Sequence, residues 1–331
     1  MSDDKKKINL RAGDAVFYQY DPITGFWGIP NMERDVCFTN LDKASIKVRH
    51  NSEGNRDKDV PEEKINGSIL CLGGSHTWGA GVDQDSRYSE HLSRLTGKQV
   101  FNLGHCSFGL DQVCLVILQK IDAYKPGIII VEQYPWSIHR ILNAYVIGYT
   151  RPYFYLDANG KMKLQKMSSL SRFKFFRQLI GSYYAYRKEY MEFKAGINLK
   201  DYNPWADPIF LSWKIPYYEY MYKLVDQIVA VMQNYCSQKG IHLLFGLGAI
   251  MQQFGQKSSS SLVDYTLPRN TLIAIFEKNN INYIDMTEAM LAEHTADDPV
   301  IFHDGHMNKK GHNIFAREIV KVLNTKKWIS V

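Results

Sequence analysis

Five short apolar runs stand out along the chain, and each one predicts a buried β-strand. They cover residues 69–72, 100–103, 128–131, 241–246 and 281–285. The third run, Ile-Ile-Ile-Val, has no polar residue facing either side, which is typical of a parallel strand covered on both faces. The pattern therefore predicts a largely parallel sheet buried between two layers.

Segments with helical spacing of apolar residues separate these strands. They cover residues 86–95, 110–124, 217–237, 270–279 and 313–323. Strands that alternate with helices form βαβ units, which place the helices on both faces of a parallel sheet. We therefore expect an α/β protein built as a three-layer α/β/α sandwich with five parallel strands.

Two regions depart from this alternation, and they set the predicted domain organisation. Residues 1–67 carry aromatic residues between turn residues, as in short strands packed on a neighbouring surface. Residues 68–331 form the main domain, with an aromatic-rich insertion at about 137–212, which we expect to be helical. Between 137 and 200 the insertion holds twelve Lys or Arg against three acids. There are three alternatives for this insertion: a helical cap that favours an anionic partner, a nucleic-acid surface, or a solvated insertion with its own aromatic core. The last is favoured, because no nucleic-acid motif is present.

Composition narrows the class of protein further. The chain has 331 residues, of which 45% are hydrophobic, so it can bury a sizeable core. No apolar run reaches the roughly 18 residues of a membrane span. The charged amino terminus lacks the apolar core of a signal peptide, so a cytoplasmic location is expected. The five cysteines show no C-x-x-C pair or zinc-like spacing, and their odd number argues against a disulfide framework.

The first candidate for chemistry lies where the first strand ends. The apolar run is followed by Gly73 and Gly74, which permit a sharp turn, and then by Ser75. A serine at the carboxyl edge of a parallel strand can expose its hydroxyl beside backbone N–H groups able to bind an oxyanion. The alternatives are a simple helix cap and a phosphate-binding turn.

The second candidate is a glycine-bearing loop near the carboxyl end. Asp304 stands two residues before His306, a spacing that can place a carboxylate beside an imidazole and fix its tautomer. Three histidines and an acid within ten residues, 303–312, also allow a metal site, although the spacing lacks the helical His pair of zinc motifs. An ordinary surface loop is the third alternative.

Together the two ends resemble the SGNH/GDSL hydrolases, a family of esterases and acyltransferases. The segment Gly73-Gly-Ser-His-Thr-Trp-Gly79 is similar to the family's first block, and Asn102-Leu-Gly104 with Gly109 is similar to its second. The closing block is met by Asp304, His306, Asn308, Gly311 and His312. An upstream segment with Asn51, Gly54 and Arg56 is also similar to one bacterial branch of the family.

The resemblance implies a flavodoxin-like sheet and a Ser75–His306–Asp304 triad that hydrolyses a small-molecule or carbohydrate ester through an acyl-enzyme. It implies no metal and no organic cofactor. His76, His105 and Arg56 become candidate substrate contacts. An O-acyltransferase that uses a sugar hydroxyl, and a non-catalytic binding module on the same fold, remain open. Nucleic acid is not an expected partner, and the oligomeric state is left open.

The oxyanion hole is where the sequence departs most from the family. The third block, Gly-x-Asn-Asp, is absent, and Glu132-Gln-Tyr-Pro-Trp136 follows the third strand instead. The expected donors are therefore the Ser75 N–H, an N–H of Gly104, Ser107 or Gly109, and the side-chain amide of Gln133. Gly74 also replaces the usual Asp of the first block, and the closing Asp-x-x-His is shortened to Asp-x-His.

Overall fold

The computed structural model describes residues 9–10, 15–38, 44–61, 66–181, 183, 208–212, 216–254 and 263–329. Its centre is a five-stranded parallel sheet whose strands we label β1 to β5. They are β1 (Ser68–Leu72), β2 (Val100–Asn102), β3 (Pro126–Gln133), β4 (His242–Leu247) and β5 (Asn282–Asp285). The spatial order is β2-β1-β3-β4-β5, with all neighbours parallel. This is the flavodoxin-like order, so the predicted sheet is confirmed.

Helices cover both faces of this sheet. In chain order they are α1 (Ser75–Trp78), α2 (Tyr88–Thr96), α3 (Leu110–Gln119), α4 (Pro216–Gln238), α5 (Met251–Phe254), α6 (Leu267–Lys278), α7 (Thr287–Glu293) and α8 (Lys309–Thr325). The five predicted helices correspond to α2, α3, α4, α6 and α8. In the described part of the chain, no helix is long and apolar enough to cross a membrane.

Strand β1 shows how the two layers divide the core. Successive side chains of a strand point to opposite faces. Ile69 and Cys71 pack in the cluster formed with α2, α7 and α8, whereas Leu70 and Leu72 pack in the cluster formed with α3, α4 and α6. All five residues of β1 are buried, as expected for a strand with helices on both sides.

The leading segment folds into short strands against one edge of this core. A hairpin pairs Tyr18–Asp21 with Gly25–Gly28, and Glu33–Phe38 pairs with Ala44–Arg49 on one side and Asn9–Leu10 on the other. Its aromatic residues reach the nucleophile region, because the rings of Phe17 and Phe38 lie 5.3 and 6.2 Å from the ring of Trp78.

The insertion differs from its predicted helical character. Two hairpins occupy its first half, Tyr145–Val146 with Tyr149–Thr150 and Tyr153–Leu156 with Met162–Gln165. Gly148 and Gly160 lie at their turns with positive φ, and the strand Tyr153–Leu156 is made of aromatic and apolar residues alone. Residues 174–181 are helical, as predicted, whereas much of the remaining insertion lies outside the described residues.

Candidate active site

The nucleophile turn joins β1 to helix α1. Ser75 is the first residue of that short helix, and Gly74 is its N-cap. A Cβ at Gly73 would lie 2.4 Å from Thr77 Oγ1 and 2.5 Å from a Glu132 carboxylate oxygen, so only glycine fits there. The chain thus turns tightly against β3, and Ser75, 7% exposed, is left at the carboxyl edge of the sheet.

This position is also the topological switch point of the sheet. Strands β1 and β3 are neighbours, and the connections that leave them run to opposite faces, which opens a crevice at their carboxyl ends. Ser75 follows β1, while Glu132 and Gln133 end β3 on the other side of the crevice. Sheet topology therefore places the candidate nucleophile where α/β proteins commonly bind ligands.

Glu132 holds the nucleophile turn from the β3 side. Its Oε2 accepts hydrogen bonds from the Gly74 N–H at 3.0 Å, the Thr77 N–H at 3.3 Å and the Thr77 hydroxyl at 2.9 Å. Burial raises the pKa of this carboxyl, and the hydrogen bonds from Thr77 and Gly74 partly oppose that rise. No motif in the sequence assigns a role to Glu132. The available signal is its position directly after the fully apolar part of β3.

The closing loop brings the acid and the base to Ser75. His306 Nε2 lies 2.7 Å from Ser75 Oγ, and His306 Nδ1 lies 2.9 Å from Asp304 Oδ2. The second contact is at ion-pair distance, although the ring N–H does not point straight at that oxygen. Asp304 Oδ1 also accepts the backbone N–H of His306 at 3.1 Å. Ser75, 231 positions before His306 in sequence, therefore meets His306 and Asp304 in one chain of contacts.

A stack of rings supports His306. The His76 ring lies parallel to Tyr134, with centroids 3.7 Å apart, and 4.9 Å from the His306 ring on its other side. His76 Nδ1 accepts the N–H of Met307 at 3.3 Å. Burial, reinforced by neighbouring His306, His312 and Arg140, holds the pKa of His76 well below its usual value. His76 is therefore a neutral ring that positions His306, and it also lines the pocket beside Ser75.

The candidate oxyanion donors divide into occupied and unoccupied N–H groups. The Gly104 N–H donates to Asn102 Oδ1 at 3.0 Å, and the Gly109 N–H donates to Gln112 Oε1 at 3.1 Å. Among the described residues, no acceptor takes the backbone N–H of Ser75 or Ser107. Ser107 adopts φ +66°, a conformation usual for glycine.

Gln133 does not fill the place of the missing third-block amide in this structure. Its Nε2 donates to the Tyr134 carbonyl at 2.7 Å and to Ser137 Oγ at 3.0 Å. Turning the amide over would set its oxygen against the Tyr134 carbonyl, so this orientation is required. Both N–H groups of the side chain are engaged by the loop that follows β3.

Arg56 and His105, predicted as substrate contacts, are core residues instead. Arg56 is fully buried and donates to the carbonyls of Trp78 at 3.2 Å and Val82 at 2.8 Å. His105 is also fully buried, with its ring 4.0 Å from the Trp27 ring, and burial lowers its pKa strongly. Polar residue types near a motif suggested contact with substrate, but packing against the leading segment encloses both.

The three histidines of the closing segment do not converge on one point. His303 is exposed, His306 faces Ser75, and His312 is buried in α8, where its Nδ1 accepts the Tyr88 N–H at 3.2 Å. Within the residues that the structure describes, no group of three potential metal ligands is assembled.

Comparison with solved structures finds similar chain courses. A member of the lipolytic protein G-D-S-L family from Veillonella parvula DSM 2008 is 14% identical, with a TM-score of 0.42, covering 78% of this chain and 98% of its own. The lipase/acylhydrolase from Enterococcus faecalis is 10% identical, with a TM-score of 0.42, covering 78% and 96%. A GDSL-like lipase from Bacteroides thetaiotaomicron VPI-5482 is 10% identical, with a TM-score of 0.40, covering 78% and 88%. No family model and no curated protein matches the chain.

Proposed function

We propose that this protein is an SGNH/GDSL-type serine esterase that cleaves small O-acyl esters through an acyl-enzyme. The observation that carries the proposal is the 2.7 Å contact between Ser75 Oγ and His306 Nε2, with Asp304 beyond it. A hydroxyl in hydrogen-bond contact with an imidazole that is itself oriented by a carboxylate is the arrangement of an activated serine nucleophile.

In the first half-reaction, Ser75 Oγ attacks the ester carbonyl while His306 Nε2 takes its proton. The Asp304 carboxylate, 2.9 Å from Nδ1, stabilises the imidazolium that forms. The proton then passes to the departing alcohol, and the acyl group stays on Ser75. In the second half-reaction His306 activates the acceptor, the acyl–oxygen bond to Ser75 breaks, and the serine recovers its proton.

The tetrahedral oxyanion is held in this proposal by the N–H groups of Ser75 and Ser107. Each such donor typically lowers the barrier by about 3 kcal/mol. The Ser75 N–H belongs to a turn that Glu132 anchors on both sides, at Gly74 and Thr77, which keeps its direction fixed before substrate arrives. Preorganised donors of this kind contribute more than donors that must first be turned into place.

Water is the acceptor that the site favours. The side chains of His306 and Asp304 are 19% and 21% exposed, so the base meets solvent directly once the alcohol has left. A transferase to a sugar hydroxyl uses the same acyl-enzyme. It is recognised by an acylated sugar appearing at the expense of the free acid when the sugar is added.

The test is covalent labelling of Ser75 with a fluorophosphonate, combined with hydrolysis of 4-nitrophenyl acetate. The parent protein should be labelled and active, and Ser75→Ala should lose the label and at least about 10⁴-fold in kcat. Ser137→Ala removes the other serine hydroxyl that lines the pocket and should still be labelled. A parent protein that takes no label would establish a non-catalytic binding module instead.

A further inference from the structure

A cationic side chain lies in the pocket beside the nucleophile, and the proposed mechanism does not use it. Arg140, in the segment that follows β3, lines this pocket together with Ser75, Phe108 and Trp136. Its Nη1 donates to the Phe108 carbonyl at 3.3 Å, and its guanidinium lies 5.1 Å from the centre of the Trp136 ring. In the described part of the chain, no carboxylate forms an ion pair with it.

The glycine that replaces the family's first-block Asp leaves this cation uncovered. A Cβ at Gly74 would lie 3.3 Å from Arg140 Nη1. An aspartate at that position would direct its carboxylate to the guanidinium and neutralise it. Gly74 has φ −89°, which lies outside the left-handed region that favours glycine, and ψ −144°. The absence of a side chain therefore keeps the cation accessible to the pocket.

A carboxylate near Arg140, that of Glu132, is already engaged in hydrogen bonds. The Oε2 of Glu132 accepts three hydrogen bonds from the nucleophile turn, as described above. Burial lowers the pKa of Arg140 and the Glu132 carboxylate raises it, and an arginine guanidinium stays charged in proteins. A planar cation with several unused N–H groups and apolar walls around it matches a carboxylate or a phosphate.

We infer that Arg140 binds an anionic group of the substrate, so that the preferred esters carry a carboxylate or phosphate close to the scissile bond. This inference rests on the proposed function and names its substrate class. A negative group on the acyl chain or on the alcohol satisfies the same chemistry. Placement of Arg140 next to Gly74, one residue from the nucleophile, requires the charge to lie only a few bonds from the ester carbonyl.

The experiment compares matched esters on the intact protein. For the acyl side the pair is mono-4-nitrophenyl succinate and 4-nitrophenyl pentanoate, and for the alcohol side it is 4-acetoxybenzoate and its methyl ester. We expect one anionic ester to have the higher kcat/KM of its pair. In Arg140→Gln the kcat/KM of that ester should fall by about tenfold to a hundredfold more than that of its neutral partner, mainly through KM. Arg140→Lys should recover part of the difference.

Gly74→Asp is the second variant, and it leaves Arg140 itself intact. It should reduce the preference for the anionic ester in the same direction, because the new carboxylate occupies the guanidinium. Far-ultraviolet circular dichroism and the melting temperature of each variant show whether the fold is kept. If Arg140→Gln fails to fold, Gly74→Asp alone decides.

Three results separate this inference from the proposed function. Equal kcat/KM for both esters of each pair in the parent protein would overturn the inference and leave the esterase intact. An equal fall of kcat for anionic and neutral esters in Arg140→Gln would show that the guanidinium stabilises the oxyanion, and would also overturn it. If the parent protein hydrolyses no ester, binding of monoethyl succinate is measured by calorimetry. Binding that Arg140→Gln abolishes would support the anion site without the esterase, and absence of binding would overturn both.

Discussion

The two halves of the proposed catalytic centre are built in different ways. Ser75 stands on a turn whose neighbours are buried, and Glu132, Arg56 and Asn102 bind its backbone from three sides. Asp304 and His306 stand in a surface loop in which Gly305 has φ +87°. Their own side chains are about one-fifth exposed. The nucleophile is therefore fixed by the core, whereas the acid–base pair is fixed by a short loop at the surface.

Contacts within the loop and with the core hold Asp304 and His306 in place despite their exposure. The N–H of Phe302 donates to the His306 carbonyl at 2.7 Å, and Ile301 and Met307 form an isolated antiparallel bridge. The His76 ring then meets His306 from the buried side. The difference teaches that the serine of the proposed triad is held by a rigid buried frame, whereas the histidine is held by a local loop and one stacked ring.

The largest effect should come from removing the base on the surface side. His306→Ala should lower kcat by at least about 10⁴-fold, because the nucleophile loses its proton acceptor. The matched control is His303→Ala, which removes an exposed ring from the same loop and should stay within about threefold, less than 1 kcal/mol. Steady-state kinetics on 4-nitrophenyl acetate gives both values. Dependence on His303 instead would mean that the loop presents a different ring to Ser75.

Lowering the pH should destabilise the fold through its buried histidines. Burial lowers the pKa of His50 to about 4 and holds those of His76, His105 and His312 well below 6.5. These rings are neutral in the folded state, so the unfolded chain binds more protons below pH 6.5, and stability falls as the pH drops from there. Each group contributes up to about 1.4 kcal/mol per pH unit.

Three buried carboxyls, those of Asp57, Asp111 and Glu132, oppose this trend, because burial raises the pKa of each. Burial raises the pKa values of Asp57 and Asp111 to about 6, so their contribution is full below about pH 4 and is lost as the pH rises through 6. The four histidines outnumber them, and denaturant unfolding should show a net loss of several kcal/mol between pH 7 and pH 5. In His105→Phe, the slope of the unfolding free energy against pH should be smaller by the equivalent of about one proton. A stability that rises toward pH 5 would contradict this balance.

An intermediate effect on kcat should follow from weakening the hydrogen bonds that Glu132 makes to the turn carrying Ser75. Glu132→Gln keeps the shape but sets an amide NH₂ against groups that donate to the carboxylate. We expect kcat to fall by about tenfold to a hundredfold, and the free energy of unfolding to fall by about 1.5–3 kcal/mol. Both are measured on one preparation. A lower stability with unchanged kcat would show that Glu132 only supports the fold.

The smallest effect on catalysis should come from Gln133. Because its amide binds Tyr134 and Ser137, Gln133→Ala should change kcat per folded molecule by less than about threefold. The loss of two hydrogen bonds should lower Tm by a few degrees. A fall of kcat by about a hundredfold would restore Gln133 as an oxyanion donor.

The comparison also explains what could be predicted from the sequence. The apolar runs located all five strands, because a strand buried on both faces leaves a continuous signal. Ser75, His306 and Asp304 were selected by motif spacing, and the structure brings them together. Arg56, His105 and Gln133 were assigned to the site by residue type, whereas their burial and partners depend on how distant segments pack. That information is tertiary and leaves no local pattern.

Two further features lay beyond the sequence for the same reason. The cation of Arg140 reaches the crevice from a segment where no motif is present, and the glycine opposite it has meaning only when both are seen together. The hairpins of the insertion were hidden by an aromatic-rich composition that suits either a helix core or a strand face.

The burial of Arg56 has a consequence for how the molecule is assembled. Its guanidinium donates to the carbonyls of Trp78 and Val82, and its own carbonyl accepts a hydrogen bond from Arg87, which also pairs with Asp57. The segment before the first sheet strand thus closes around the turn that carries the nucleophile. Because of these contacts, we expect docking of that segment and ordering of the turn that carries Ser75 to be coupled. The segment around Arg56 is therefore a structural support of the proposed nucleophile turn.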